Sequence, residues 1–352
     1  MIRATNVKRG KISPEGLIRI KREAIPESRD AFLKEGEIIV VRSGAYTGDV
    51  AMVTKEWAGS VAGYDLVLTL GENVDPVFCT YNLLGDDVQS YFRSQSARSA
   101  QPHLNRNQLE STEIPLPPRS EQCTIGAILE AVRRALDLQE RLIVLTTELK
   151  TTLLHQVFTE GMIGAPEVPV PDALVKYRTG RQRQLPSAQI KERGDWPVVD
   201  QGQAFVAGYT DELDKVIDSG LPLIIFGDHT RCLKFIDFPF VLGADGTKVL
   251  KADETKFRPR FLYYSLSTLD IPNRGYNRHF TVLKEKRVKQ PSLEVQDAVI
   301  DKFIVLDRKL NAHRRKCALL AELFRSLLHQ LMSAAIRVND MDISELRRSL
   351  AA

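Results

Sequence analysis

Apolar side chains recur at alternating steps of three and four residues in two stretches of the chain that contain no proline. In the second stretch this spacing runs through Val299, Phe303, Leu306, Leu310, His313, Cys317, Leu320, Phe324, Leu327 and Leu331. In the first stretch it begins at Ile125, Leu129, Val132, Leu136, Gln139 and Ile143. Such spacing is typical of helices that pack in a coiled coil. The sequence therefore predicts long amphipathic helices at 119–160 and 293–338 that pack antiparallel.

The two helices are copies of one sequence. Shifting residues 117–158 forward by 174 positions aligns them with the second helical region without a gap, and twelve of the forty-two aligned positions are identical. Gln122 aligns with Gln296, and Gln139 aligns with His313. A polar residue within an apolar seam fixes the register of a coiled coil, and we interpret Gln139 and His313 in this way rather than as ligands. A duplicated helix indicates a duplicated task.

Short runs of β-branched and aromatic residues, broken by Gly, Asp and Asn, fill the rest of the chain. Examples are Glu37–Val41 and Leu221–Phe226. Such runs predict short strands joined by turns, so the fold class is α+β, with two mixed modules separated by the long helices. The predicted order is a first module at 1–118, a helix at 119–160, a linker at 161–195, a second module at 196–292, a helix at 293–338 and a tail at 339–352.

The composition is that of a globular protein, because 43% of the residues are apolar and 27% are charged. The net charge is only +4, so a polyanionic partner must be held by local basic patches, of which two lie at 1–22 and 274–289. The four cysteines form no CxxC pair, which argues against disulfides and a zinc site and fits a reducing cytoplasm. The sequence has no recognisable signal peptide or membrane span, so we expect a cytoplasmic protein without a membrane partner.

Antiparallel helices of equal length would place the two modules at opposite ends of a rod, related by a pseudo-two-fold axis. Duplex DNA also has local two-fold axes, so this symmetry suits a protein that presents two reading heads to two half-sites. The modules have diverged more than the helices, so the half-sites need not share a sequence. The pattern predicts binding of double-stranded DNA at an asymmetric, bipartite target.

Three segments resemble type I restriction-modification specificity subunits. The stretch Ile-Pro-Leu-Pro-Pro-Arg-Ser-Glu-Gln at 114–122 is similar to the junction that precedes their central helix, and 275–296 is similar to the junction after a second target-recognition domain. The strand and turn at 36–44 resemble the centre of such a domain. Family recognition domains begin some tens of residues before the strand that residues 1–6 resemble. We therefore expect the first module to be truncated at its N-terminus.

The resemblance implies a subunit without catalytic activity or cofactor that directs methylation and restriction to its DNA target. The implied partners are modification (methyltransferase) subunits, usually two, and a restriction (translocase and nuclease) subunit. Two alternatives stay open. One is a truncated or inactive specificity subunit that acts as a coiled-coil scaffold or a recombination cassette. The other is a stand-alone nuclease, which would require a compact cluster of carboxylates and lysines that the sequence does not display.

Base edges are read by side chains that offer a fork of donors or a donor and an acceptor, whereas phosphate contacts need only charge or small donors. In the first module the DNA-binding candidates are Arg3, Asn6, Lys8, Arg42, Ser43, Tyr46, Asn105 and Arg106. In the second module they are His229, Arg231, Lys248, Asn273, Arg274, Tyr276, Asn277, Arg278 and His279.

Catalytic motifs are not expected in this chain. The neighbours Asp228 and His229 lack a nucleophile motif and are interpreted as a turn, and the spacing of a phosphate-binding loop is not met at 243–248. The sequence contains no methyltransferase Asn- or Asp-Pro-Pro-Tyr motif, no Gly-rich cofactor fingerprint and no HExxH zinc helix. We expect neither catalytic residues nor a metal site.

Overall fold

The computed structural model describes residues 1–25, 32–96, 102–180, 184–244, 246–273, 275 and 278–338. The chain divides into two compact units. The first contains Met1–Arg141 and the segment that begins at Arg314, and the second contains Leu142–His313. Each long helix contributes to both units, and each unit combines sheets with helices, which confirms the α+β class.

The first unit has a small antiparallel sheet at its centre. The strands of this unit are β1 (Val7–Lys8), β2 (Lys11–Ile12), β3 (Ile38–Val40), β4 (Val50–Met52) and β5 (Leu66–Leu68). Strands β1 and β2 form a two-stranded sheet of their own, and β3, β4 and β5 form the central sheet. Strand β3 pairs with β4 on one side and β5 on the other, so Ile39 lies opposite both Ala51 and Val67. All of β3 is buried, because alternate side chains enter two different apolar clusters. This explains why β3 reads as a continuous apolar run.

Four helices begin within the described residues of the first unit. They are α1 (Pro76–Leu83), α2 (Asp86–Ser96), α3 (Arg106–Glu110) and the long α4 (Arg119–Thr159), which continues into the second unit. Helix α1 begins where the Asp75 carboxylate accepts a hydrogen bond from the Phe78 amide at 2.8 Å, and Pro76 occupies its first turn. Helix α2 buries Val88 and Phe92 in the same cluster as one face of β3.

The second unit contains eleven named strands and three helices within its described residues. The strands are β6 (Glu167–Pro169), β7 (Leu174–Val175), β8 (Gln184–Leu185), β9 (Trp196–Val199), β10 (Gly208–Thr210), β11 (Val216–Ile217), β12 (Leu223–Gly227), β13 (Leu233–Ile236), β14 (Phe240–Gly243), β15 (Thr247–Ala252) and β16 (Arg287–Lys289). The helices are α5 (Pro259–Ser267), α6 (Phe280–Glu285) and α7 (Leu293–Met332). Strand β12 pairs antiparallel with β13 and β15, as β3 pairs with β4 and β5. A second sheet has the order β10, β9, β14, β11, with β8 beside β14.

Residues 161–195, predicted to be a linker, contribute strands to the second unit. Strand β6 pairs with β16, β7 with β15 and β8 with β14. Strands of two or three residues have too few positions to show an alternating pattern. The pairing partners that define these strands are far away in the sequence.

The long helices are antiparallel within each unit, as predicted. In the first unit, Leu129 near the start of α4 shares an apolar cluster with Leu331 at the end of α7. In the second unit, Phe158 near the end of α4 shares a cluster with Phe303 near the start of α7. Gln139 is buried and His313 is half-buried. Their role in fixing the register stays a prediction.

Helix α7 ends at Met332 rather than at residue 338. Ala334 adopts a φ of 56°, which lies outside the range of a right-handed helix, so the helix cannot extend through this residue. The chain then returns to α4, where the Arg337 guanidinium pairs with the Glu121 carboxylate at 2.7 and 2.9 Å. Val338 is buried in the cluster that contains the start of α4. Within the described residues, no helix is both long enough and apolar enough to span a membrane.

A buried glutamine joins the sheet-bearing part of the first unit to its long helix. The Gln122 side-chain oxygen accepts a hydrogen bond from the Asp75 amide at 2.9 Å. Its nitrogen donates to the carbonyl oxygens of Asn73 at 3.1 Å and Pro117 at 2.8 Å. These bonds satisfy backbone groups immediately before α1 and α4.

Gln296, the repeat partner of Gln122, makes the same three bonds in the second unit. Its oxygen accepts from the Arg258 amide at 2.8 Å, and its nitrogen donates to the carbonyl oxygens of Lys256 at 2.8 Å and Pro291 at 2.9 Å. The groups it satisfies immediately precede α5 and α7. The sequence repeat therefore corresponds to a repeated attachment of module to helix.

In each unit a tyrosine of a short helix also contacts a long helix. Tyr81 in α1 and Tyr264 in α5 each donate a hydrogen bond to a carboxylate on a long helix, at 2.7 and 2.6 Å. Burial raises the pKa of both phenols above the ordinary tyrosine value, and the neighbouring carboxylate adds to the shift. The ring of Tyr81 meets the edge of Phe324 at 5.7 Å, and Lys150, the repeat partner of Phe324, lies 5.2 Å from the ring centre of Tyr264.

We expect Gln296→Leu to destabilise the second unit. Leucine has a similar size but leaves one buried amide and two carbonyl groups without this partner, and each such loss costs about 1–3 kcal/mol. The free energy of unfolding, measured by urea titration, should fall by at least about 2 kcal/mol. The control is Gln156→Leu, at an exposed position of α4, which should change stability by less than about 0.5 kcal/mol. Equal stability of the two variants would contradict this role.

Candidate nucleic-acid interface

In the first unit the turn that follows β3 is held against the segment that precedes α3. The Leu104 amide donates to the Arg42 carbonyl at 2.8 Å, and Ser43 forms a strand-like bridge with His103. The Thr47 hydroxyl donates to the Gly44 carbonyl at 2.7 Å, which closes the turn. The φ of Gly44 is 92°, a value that strongly favours glycine. Two segments that are distant in sequence therefore form one surface.

The Arg42 side chain is fixed on this surface by two neighbours. Its Nε donates to His103 Nε2 at 3.3 Å, and its guanidinium carbon lies 4.7 Å from the ring centre of Tyr64. Tyr64 is 70% exposed. The Asp65 carboxylate accepts a hydrogen bond from the Arg42 amide at 3.2 Å. Burial raises the pKa of this carboxyl, and the bond from Arg42 opposes that rise.

The N-terminal candidates lie next to the segment that carries Tyr64, because Ile2 forms a strand-like bridge with Ala62. Gly63 donates its amide to the Ile2 carbonyl at 2.8 Å, and Arg3 donates to the Gly16 carbonyl at 2.8 Å. Lys8 is exposed and pairs with Glu15 at 3.2 Å. Surface pairs of this kind contribute little stability and exchange readily with other partners. Arg3 and Lys8 therefore stay candidates for phosphate contacts.

The structure contradicts the prediction that Asn6 contacts DNA. It is fully buried, and its side chain accepts from the Arg3 amide at 3.1 Å and donates to the carbonyls of Ser13 at 3.1 Å and Glu15 at 2.8 Å. All of these bonds are internal. Asn6 holds the N-terminal loop together and has no surface with which to meet DNA.

Three further candidates of the first unit are exposed. Tyr46 stands in the turn after β3, while Asn105 and Arg106 begin α3. The Asn105 side chain caps that helix by accepting from the Gln108 amide at 2.9 Å, and Arg106 pairs with Glu110 at 2.7 Å one turn further on. Asn105 is thus already used structurally, whereas Tyr46 and Arg106 point into solvent.

In the second unit the corresponding turn follows β12. Arg231 is exposed at its tip, with a φ of 63°, and its guanidinium donates to the Ile271 carbonyl at 2.8 Å. The His229 amide donates to the Gln201 side chain at 3.1 Å. Lys248 on β15 is half-buried and lies 3.7 Å from the Asp228 carboxylate. The structure therefore brings His229, Arg231 and Lys248 together.

The structure also contradicts the prediction that His279 contacts DNA. Its ring is fully buried, and Nδ1 lies 2.9 Å from the carbonyl oxygen of Asp228. The Asp228 carboxylate accepts from the Phe280 amide at 2.8 Å, so it supports the start of α6. Asn273 and Arg278 are exposed beside this buried pair. Arg274, Tyr276 and Asn277 lie outside the described residues, so their predicted contacts stay untested.

Sequence reasoning missed two groups on these surfaces. In the first unit they are Tyr64 and His103, which contact Arg42. In the second unit a loop at 200–206 covers the base of the turn after β12 and exposes 51% of Phe205. The buried Lys234 ammonium holds this loop by donating to the carbonyls of Asp200 at 2.8 Å and Ala204 at 2.6 Å. Burial lowers the pKa of Lys234. The signal available in the sequence is an aromatic residue close to a glycine and an aspartate, as in Gly63-Tyr64-Asp65 and in the segment from Asp200 to Phe205.

The chemistry of both surfaces is that of binding. They offer guanidinium, ammonium, imidazole and phenol groups, which suit phosphates and base edges. Among the described residues, no group of three or more His, Cys, Asp or Glu side chains is arranged to hold a metal ion. The Asp228 carboxylate, which could otherwise serve as a base, is buried and committed to the Phe280 amide.

Comparison with known proteins identifies relatives of both units. The family described as type I restriction modification DNA specificity domain matches residues 3–146. The type I restriction enzyme EcoR124I/EcoR124II specificity subunit of Escherichia coli is 30% identical over 131 residues, which cover 33% of this chain and only 32% of that protein. The MjaVIII specificity subunit of Methanocaldococcus jannaschii is 22% identical over 362 aligned positions, covering 90% of this chain and 82% of that protein.

Solved structures share the fold. A crystal structure of a type I restriction-modification S subunit from M. genitalium has a TM-score of 0.64 with 17% identity, covering 92% of each chain. A chain from a structural study of complex assembly and conformational transition of the type I R-M system has a TM-score of 0.54 with 18% identity, covering 94% of this chain and 90% of that one. Residues 3–146 therefore match the type I restriction modification DNA specificity domain, and the chain as a whole shares the fold of a type I restriction-modification S subunit.

Proposed function

We propose that this chain recognises DNA for a type I restriction-modification complex and has no catalytic activity of its own. The observation that carries the proposal is a repeated arrangement. In each unit a buried central strand leads into a turn that presents an arginine, Arg42 after β3 and Arg231 after β12. Arginine is the side chain best suited to both base edges and phosphates. Methylation and cleavage belong to partner subunits.

The two units act as separate reading heads for the two halves of a bipartite target. The recognition domains are proposed at 1–118 and 196–292, and the pairing of β6, β7 and β8 adds residues 161–195 to the second. Different side chains at the two turns allow the half-sites to differ in sequence. Spacing of the heads by the long helices, and a location in the cytoplasm, stay predictions.

The partners of the chain are proposed to be DNA, modification subunits and a restriction subunit. Each unit carries one pair of exposed leucines on a long helix, Leu145 with Leu149 and Leu319 with Leu323, and the two pairs are repeat partners. Residues four apart lie on one helix face, so each pair forms a small apolar patch. Two equivalent patches favour two copies of one partner, which we propose to be the modification subunit.

We expect the complex of this chain with its modification subunits to methylate a bipartite DNA motif, as mapped by sequencing methylated bases in genomic DNA. Arg231→Ala should relax the choice of base in one half-site, because loss of one base contact costs about 1–3 kcal/mol. The control is Arg193→Ala, an exposed arginine of the same unit that lies away from the turn. It should leave the motif unchanged.

Other outcomes would favour the alternatives. Binding that is uniform over sequence and declines steeply with salt, in competition between target and random duplex, is the behaviour of a scaffold without specificity. Cleavage of DNA by the purified chain alone would overturn the proposal of a non-catalytic subunit.

The leucine patches yield a prediction about stoichiometry. Leu145→Asp and Leu319→Asp should each remove one of two bound modification subunits, because a buried, unpaired carboxylate opposes docking. Native mass spectrometry should show two bound subunits with the parent chain, one with each single variant and none with the double variant. Leu213→Asp, which alters a leucine that is 68% exposed outside the helices, is the control and should still bind two. Full binding by the double variant would exclude these patches as docking sites.

A further inference from the structure

The arrangement around Arg42 supports a specific role in base reading. Resting on the proposed function, we propose that Arg42 reads a guanine in the half-site bound by the first unit, with Tyr64 and His103 as the residues that position it. Three features carry this inference: the fixed orientation of the guanidinium, the lack of a carboxylate partner among the described residues, and a different residue, Asp228, at the equivalent position of the second unit's turn.

The orientation of Arg42 is fixed at both the backbone and the side chain. Its carbonyl accepts from Leu104 at 2.8 Å, and its amide donates to Asp65 at 3.2 Å. Along the side chain, Nε is bound to His103 at 3.3 Å and the guanidinium lies over the Tyr64 ring. An arginine held in this way loses less conformational freedom when it binds, so its contact is more selective.

The unused edge of the guanidinium matches the major-groove edge of guanine. Because Nε is engaged by His103, the remaining donors of the half-buried Arg42 side chain belong to the two terminal nitrogens. Among the residues that the structure describes, none accepts a hydrogen bond from them and no carboxylate forms an ion pair with Arg42. A pair of N–H donors from arginine binds the O6 and N7 acceptors of guanine, which is the commonest specific contact to DNA.

The second unit uses the corresponding position differently. The Asp228 carbonyl accepts from the His279 amide at 2.8 Å, just as the Arg42 carbonyl accepts from Leu104. The Asp228 side chain, however, is buried and bound to the Phe280 amide at 2.8 Å. A carboxylate turned into the protein cannot contact guanine. The second unit therefore does not repeat the Arg42 contact at the equivalent position, and its exposed arginine, Arg231, stands three residues further along the turn.

The test uses the complete complex with its modification subunits and maps the methylated motif. Arg42→Ala should reduce discrimination about tenfold to a hundredfold at one G·C pair, in the half-site that Arg231→Ala leaves unchanged. Arg42→Lys keeps the charge but removes the fork of donors, so it should also lose discrimination while it retains most of the overall affinity. Tyr64→Ala and His103→Ala should give smaller losses at the same base pair, and Tyr64→Phe, which keeps the ring, should behave like the parent.

The matched control is Arg134→Ala, because Arg134 is an exposed arginine of the first unit that pairs with Glu130 along α4 at 3.4 Å and belongs neither to this turn nor to the basic patches. It should leave the motif unchanged. Thermal unfolding of each variant should match that of the parent. A uniform loss of affinity at all bases for Arg42→Ala, with Arg42→Lys equal to the parent, would indicate a phosphate contact and overturn the inference. An absent motif in the parent complex would instead reject the proposed function itself.

Discussion

Backbone groups removed from water must find hydrogen-bond partners, and this constraint determines how each module joins its long helix. The chain before α1 and the chain before α4 meet at the side chain of Gln122, and Gln296 serves the same purpose before α5 and α7. An amide side chain supplies an acceptor and two donors in one plane, which no other residue except asparagine offers. Both glutamines therefore bind three backbone groups at once, and the rest of each unit is built around that junction.

Because these bonds reach only the backbone, the side chains around the junction have been free to diverge. In the first unit Asp75 caps α1, and the Cys123 thiol lies 3.6 Å from its carboxylate. In the second unit Arg258 takes the place of Asp75 and pairs with Asp297, the repeat partner of Cys123, at 2.9–3.2 Å. The contact between module and helix is kept while its chemistry changes. Because ion pairs at exposed positions contribute little to stability, replacing one such contact by another changes the stability of the unit little.

The surfaces proposed to read DNA also combine backbone bonds that are repeated in both units with side chains that differ between them. Both units close the turn after the central strand with a backbone bond to the segment before a short helix, yet the Arg42 guanidinium lies over the exposed ring of Tyr64 whereas the Asp228 side chain is buried. These backbone bonds do not involve the side-chain groups that we propose to contact bases. A change of specificity can therefore arise from a few turn residues without a change in the sheet or in the junction glutamines.

The sequence by itself determined the long helices, their antiparallel pairing and the α+β class, because these depend on periodic patterns and on a repeat without gaps. Tertiary structure decided the rest. The strands β6, β7 and β8 exist through partners far along the chain, and α7 ends early where the chain returns to Glu121. Asn6 and His279 have residue types that suit DNA, but burial commits them to the interior, whereas Tyr64 and His103 gain importance only by meeting Arg42. Residue type limits what a side chain can do, and only the fold decides whether that chemistry faces the solvent.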